Sequence, residues 1–210
     1  DDYTLLRMPS RMLNTKARLV LRFLGDKPPH IAVGGRQVSM TMRRAELLTL
    51  LAASPAGMSA DTLTLQLYGD EGNSTTTRAE LHRVRQILGD RISAKPYRLT
   101  GPFSADFLDV REHVLRGRVD DALRLYAGPL LPGSTSLAVE LLRDELHAMM
   151  RRAVIQAGRK TLEEWVESPH GAGDLDAICA LLDLLPGYDH RRPVLQARAD
   201  RLASEYGVPG

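Results

Sequence analysis

The 210 residues predict an α+β chain in which a small antiparallel sheet and three short helices are followed by helices alone. Three observations carry this. Residues 18–40 hold short β-prone runs separated by Gly/Pro turns. Residues 75–88 form a donor-rich amphipathic helix, followed by a short polar hairpin over residues 91–100. From Ser104 onward the apolar residues recur at helical spacing only. A sheet, two helices, a donor-rich helix and a basic hairpin, in that order, describe a winged helix-turn-helix with an N-terminal antiparallel sheet. An all-α helical-hairpin domain follows it.

Residues 1–17 are weakly patterned and read as a linker or arm. In residues 18–24, Leu19, Leu21 and Phe23 line one face of a strand, and Gly25-Asp-Lys-Pro-Pro29 turns the chain. Ile31–Val33 and Arg36–Met40 make a hairpin around Gly34-Gly35, a pair suited to a two-residue turn. A helix begins at Thr41 and runs to about Ala53, with Arg43, Arg44 and Glu46 alternating with Ala45, Leu47, Leu48, Leu50 and Leu51. Ser59 caps a second helix, Ala60 to Tyr68, which Gly69 stops. The loop from Gly69 leads to the third helix, capped by Ser74 or Thr75, with Ala79, Leu81, Val84 and Leu88 toward the core.

Pro102 marks the boundary between a winged-helix domain over 18–101 and a helical, tetratricopeptide-like domain over 102–210. In the latter, Ser104 caps a helix through Arg116, and Asp120–Tyr126 forms a shorter one. Further helices cover about 137–157, 160–166, 174–185 and 189–206. Such hairpins suggest a stack, without a strict repeat period.

Composition narrows the function. Residues 1–101 carry 15 Lys/Arg against 9 Asp/Glu, whereas residues 102–210 carry 13 against 17. Within residues 75–99 the balance is +4. Basic charge therefore gathers on the donor-rich helix and hairpin, which points to a polyanion partner for the first half. The single cysteine, Cys179, excludes an internal disulfide and a CxxC metal site; it reads as a small buried packing residue. No apolar run is long enough to span a bilayer and no secretory signal opens the chain, so a cytoplasmic, membrane-free location is expected. The six histidines show no metal-ligand spacing, and neither a phosphate loop nor GxSxG occurs, so no catalytic residue, cofactor or metal is assigned. Aromatics at 5% disfavour a single-strand binder that stacks bases, and Tyr68, Tyr97 and Trp165 read as packing residues.

The candidate contacts to double-stranded DNA are Thr75, Thr76, Arg78, Glu80, His82, Arg83 and Arg85 on the helix and Lys95 and Arg98 on the hairpin. Arg43 and Arg44, at the start of the first helix, are candidates for the backbone. Arginine grips guanine with two hydrogen bonds, and Arg and Thr also hold phosphates.

The motifs resemble a known family. Met42-Arg-Arg-Ala-Glu-Leu-Leu-Thr-Leu-Leu51 looks like the first-helix signature of OmpR-type winged-helix domains. Gly57-Met-Ser-Ala-Asp-Thr-Leu63 with Leu67-Tyr68-Gly69 resembles their second-helix segment, with Tyr68 at the aromatic position. Leu81-His-Arg-Val-Arg-Gln-Ile-Leu88 and Lys95-Pro-Tyr-Arg-Leu99 resemble the reading helix and the end of the wing. Leu125-Tyr-Ala-Gly-Pro-Leu-Leu131 is similar to a motif of the bacterial transcriptional activation domain, which follows a winged helix in actinobacterial antibiotic-regulatory activators. The chain also resembles the C-terminal part of GAF-linked actinobacterial regulators.

The resemblance implies that Thr75, Glu80, His82, Arg83 and Arg85 face DNA and that Lys95 lies near a wing tip entering the minor groove. It further implies that the loop Gly69–Asn73 is placed to meet RNA polymerase, and that a homodimer or tandem pair sits on direct repeats. The expected function is a non-enzymatic, sequence-specific transcription regulator. Its helical half would serve oligomerisation or signalling. The alternative is a protein-interaction adaptor whose winged helix no longer reads DNA.

Overall fold

A computed structural model describes residues 17–205 and 207, so the expected linker or arm lies, apart from Ala17, outside the described residues. The chain forms two compact units. The first holds the described residues up to Arg22, together with Pro28–Ala105 and Gly133–Val139. The second holds Phe23–Lys27, Asp106–Pro132 and the described residues from Glu140 onward.

The first unit opens with β1 (Leu19–Arg22), whose alternation buries Leu19 and Leu21. It pairs antiparallel with β2 (His30–Val33), Leu21 opposite Ile31, and β2 pairs with β3 (Arg36–Ser39). Gly34 and Gly35 turn the hairpin with φ of +58° and +82°, the left-handed pair such a turn requires. Three helices follow: α1 (Met42–Ala53), α2 (Ala60–Tyr68) and α3 (Ser74–Leu88). The Ser59 hydroxyl accepts the Thr62 N–H at 3.0 Å and Gly69 ends α2, both as the sequence predicts.

Two differences from the sequence reading have simple causes. Glu46, expected on the polar face of α1, is buried; its carboxylate accepts the Ser134 hydroxyl at 2.7 Å and meets Arg43 at 2.7 Å. Ser136 likewise donates to the Gln66 carbonyl at 2.8 Å, so the 133–139 segment packs on α1 and α2. Ser104 does not cap a helix. It lies in a strand that runs parallel to β1, Leu21 opposite Ala105, and completes a four-stranded sheet on the side of β1 away from β2. The open edge of β1 supplies hydrogen-bond partners that local helical spacing does not reveal.

After α3 a 3-10 turn (Gly89–Arg91) leads into β4 (Ile92–Ser93) and β5 (Arg98–Leu99), the hairpin of the wing; the parallel edge strand is β6 (Phe103–Ala105).

In the second unit the helices are α4 (Asp106–Leu115), α5 (Val119–Leu125), α6 (Leu137–Gln156, from Glu140 on), α7 (Arg159–Glu167), α8 (Leu175–Leu184) and α9 (Arg192–Glu205). The Asp106 carboxylate accepts the backbone N–H groups of Phe23 and Leu24 at 2.8 and 3.0 Å. Consecutive helices pack as hairpins, α4 on α5, α7 on α8 and α8 on α9. Trp165 is fully buried against Tyr126 and His147, its indole N–H on Asp174 at 3.2 Å, and Asp174 is held by Arg151 at 2.8 Å. Cys179 is exposed, contrary to expectation, because α8 buries Ala177, Ile178, Leu181 and Leu182 and turns residue 179 outward.

Candidate nucleic-acid interface

The third helix is positioned by its cap and by its buried stripe. Asn73, rather than Ser74 or Thr75, is the cap; its side chain accepts the Thr75 N–H at 2.8 Å. Thr77, Leu81, Val84 and Leu88 are buried, and Ala79 is exposed. The expected Ala79 was two residues out of register: a stripe at 77, 81, 84 and 88 keeps to steps of four and three. Thr77 shares a buried 2.7 Å hydrogen bond with Thr64 of α2, which lets a hydroxyl take a core position.

At about 100° per residue, Thr75, Ala79, His82, Arg83 and Gln86 fall within about 50° of the line opposite that stripe. All five are exposed. Arg78 lies to one side, bonded to the Ser74 hydroxyl at 3.0 Å and 3.7 Å from Asp61. Thr76 lies to the other side, also exposed. The His82 and Gln86 side chains are 3.1 Å apart, one turn along the same face. Ala79 and Gln86 are the face residues that sequence reasoning missed. The 75-79-82-86 spacing would have found them once the buried stripe was set correctly.

Glu80 and Arg85 fall on the shoulders of the buried stripe, about 110° from the exposed line. Glu80 is half-buried and ion-paired with Arg44 at 3.0 Å, and it also accepts from Arg83. Arg85 donates to the Ile92 carbonyl at 3.1 Å with its guanidinium 5.7 Å from the centre of the Tyr97 ring, tying the helix to the hairpin. Arg43 donates to the Leu67 carbonyl at 2.8 Å and stacks 4.3 Å over Tyr68, joining α1 to the end of α2. Arg43, Arg44, Glu80 and Arg85 are thus engaged inside the unit. The outward surface is left to Thr75, Thr76, Arg78, His82 and Arg83 among the predicted helix residues.

The wing is anchored at both ends. Met58 and Tyr97 exchange backbone hydrogen bonds at 2.8 Å, and Gly57 beside them has φ +80°, where an added Cβ would stand 2.7 Å from the Tyr97 carbonyl oxygen. Arg91, counted in the basic patch from sequence, is buried and donates to the Pro102 and Ala17 carbonyls, so its charge is not presented. Lys95 and Arg98 are exposed on the hairpin. No cluster of three His, Cys, Asp or Glu among the described residues is placed to hold a metal ion. No helix among them is long and apolar enough to cross a membrane.

Residues 158–208, covering α7 to α9, match the family described as YTH3-like protein, third C-terminal helical domain. An uncharacterized 47.3 kDa protein in the thcA 5′ region of Rhodococcus erythropolis is 35% identical over 208 residues, covering 98% of this chain and 47% of that one. The chain therefore spans about half the length of the curated relative it matches. Among solved structures, Mycobacterium tuberculosis EmbR in complex with a low affinity phosphopeptide aligns over 91% of this chain and 56% of its own, at 19% identity and TM-score 0.46.

Proposed function

We propose that the chain is part of a sequence-specific transcription regulator that binds double-stranded DNA through its first unit. The observation carrying this is the exposed face of α3, where Thr75, His82, Arg83 and Gln86 stand opposite the buried stripe, with Lys95 and Arg98 exposed on the following hairpin. A helix held by one face and lined with donors on the other suits the major groove. Thr75, His82, Arg83 and Gln86 approach base edges. Thr76, Arg78, Lys95 and Arg98 take phosphates, the last two with the wing along the adjacent backbone or in the minor groove. Arg43, Arg44, Glu80 and Arg85 hold the reading helix in place.

The OmpR-type assignment, the polymerase-facing loop, the homodimer, the cytoplasmic setting and a signalling or oligomerising role for the helical unit are parts of the same proposal. The test is selection of bound duplexes from a random pool at near-physiological salt, run on this chain and on the Arg83→Ala variant. Enrichment of a defined motif, relaxed in the variant, supports the reading. A folded protein that enriches nothing sinks it and leaves the adaptor alternative.

A further inference from the structure

The second unit contains a cleft of about 1010 Å³ between the α4–α5 turn and α6, with Thr161 of α7 also in its lining. Its α6 wall runs from Glu145 to Gln156, with lining residues at each successive turn. Eleven residue steps at 1.5 Å make that wall about 16.5 Å long, a trough rather than a compact pocket. Val119, Met149 and Ala153 form a half-buried floor, while Arg118, Arg124 and Arg152 are exposed around it. Small side chains at Ala148 and Ala153 allow a second backbone to approach α6 closely.

The charges of the cleft are unevenly committed. The Asp120 carboxylate accepts the Thr161 hydroxyl at 2.7 Å. Asp121 is paired with Arg124 and lies 3.7 Å from His113. Glu145 stands 4.0 Å from Arg111. The Arg118 and Arg152 side chains have no ion-pair or hydrogen-bond partner among the described residues. Two free guanidiniums thus stand beside an apolar floor whose own carboxylates already have partners. The complement is a ligand that is apolar on one side, carries carboxylates, and extends for several turns.

We propose that this trough is the docking site for an acidic amphipathic helix of a partner protein, with its apolar stripe on Val119 and Met149 and its carboxylates on Arg118 and Arg152. Length favours a helix over a small acid: a compact carboxylic acid would fill only a part of a wall about 16.5 Å long. The proposal does not depend on the first unit reading DNA, so failure of the duplex selection leaves it standing and the reverse also holds.

The experiment is selection from a displayed library of random 16-residue peptides, with this chain as bait, followed by fluorescence anisotropy on the enriched sequences. The expected result is enrichment of peptides with apolar residues at helical spacing and Asp or Glu on the flanks. Their affinity should fall at least tenfold against Arg118→Glu/Arg152→Glu and against Met149→Glu. The first variant changes only exposed side chains, and thermal unfolding confirms that each variant is folded. No enrichment overturns the proposal, as does enrichment without acids or binding indifferent to the arginine pair. Sedimentation of the chain alone is run alongside. Self-association dispersed by Arg118→Glu/Arg152→Glu would assign the trough to a second copy and overturn the partner helix.

Discussion

Arg83 and Arg85 are two residues apart and chemically identical, yet their surroundings predict opposite consequences of truncation to alanine. Arg85 donates to the Ile92 carbonyl and lies over Tyr97. A hydrogen bond from a charged donor contributes about 1.5–3 kcal/mol, taken at the low end for a half-buried group, and a cation–π contact adds about 0.5–1 kcal/mol. Arg85→Ala should therefore cost about 2 kcal/mol of stability through loss of the helix–wing tie. Arg83 is 54% exposed and its pair with Glu80 is largely screened, so Arg83→Ala should change stability by no more than about 0.5 kcal/mol. On DNA the order reverses. Arg83→Ala should lose about 1–3 kcal/mol of site binding, roughly 5- to 150-fold, and relax one base position. Arg85→Ala should weaken all sites alike. Urea unfolding of both variants, with anisotropy on the selected duplex and its single-mismatch series, separates the two. If Arg85→Ala altered base preference at unchanged stability while Arg83→Ala left binding intact, the assignment of faces on α3 would be wrong.

Four further outcomes are expected. Gly57→Ala should destabilise by about 2 kcal/mol, because a side chain at φ +80° meets the Tyr97 carbonyl; an unchanged unfolding midpoint would refute the wing anchor. Glu46→Ala removes a buried carboxylate that meets Arg43 and accepts the Ser134 hydroxyl and should cost about 1–3 kcal/mol, with Glu46→Gln milder, both read by denaturant unfolding. Burial pushes the Tyr126 hydroxyl from 10.0 up to about 12, so its neutral form stabilises the fold fully below pH 10. That contribution should be lost as pH rises from 10 to 12, and Tyr126→Phe should flatten the stability profile in that window. Burial also holds His147 below its ordinary 6.5, so stability should fall as pH drops below that value, and His147→Gln should remove that part of the slope.

Much of the fold was legible because its signals are local. The Gly34-Gly35 turn, the Ser59 cap and the apolar spacing of α1 and α2 each depend on residues within one or two turns of one another, and those elements lie where the sequence predicts. The misses share the opposite property. The parallel strand at Phe103–Ala105 exists because β1 has a free edge more than eighty residues away, and no local pattern carries that information. Glu46 is buried because Ser134, 88 residues later, supplies its hydrogen bond. Arg91 left the basic patch because carbonyls at Pro102 and Ala17 take its guanidinium.

The same distinction governs the candidate interface. Position on a helix tells which residues share a face once the buried stripe is known, and Thr77 hides one member of it by putting a hydroxyl where an apolar residue is expected. Leu81, Val84 and Leu88 by themselves put Ala79 opposite the stripe and Glu80 and Arg85 on its shoulders, where Arg44 and the wing engage them. Charge counting alone credits every arginine between 75 and 99 equally. The packing divides them into guanidiniums spent on internal carbonyls and carboxylates and those still directed at solvent, and only the second group is available to a phosphate or a guanine. Neutralising Lys95 and Arg98 should therefore each lower the salt dependence of DNA binding by about one ion, while neutralising Arg91 should unfold the wing instead. A salt slope that responded to all three alike would mean that the buried guanidinium reaches DNA, which its contacts forbid.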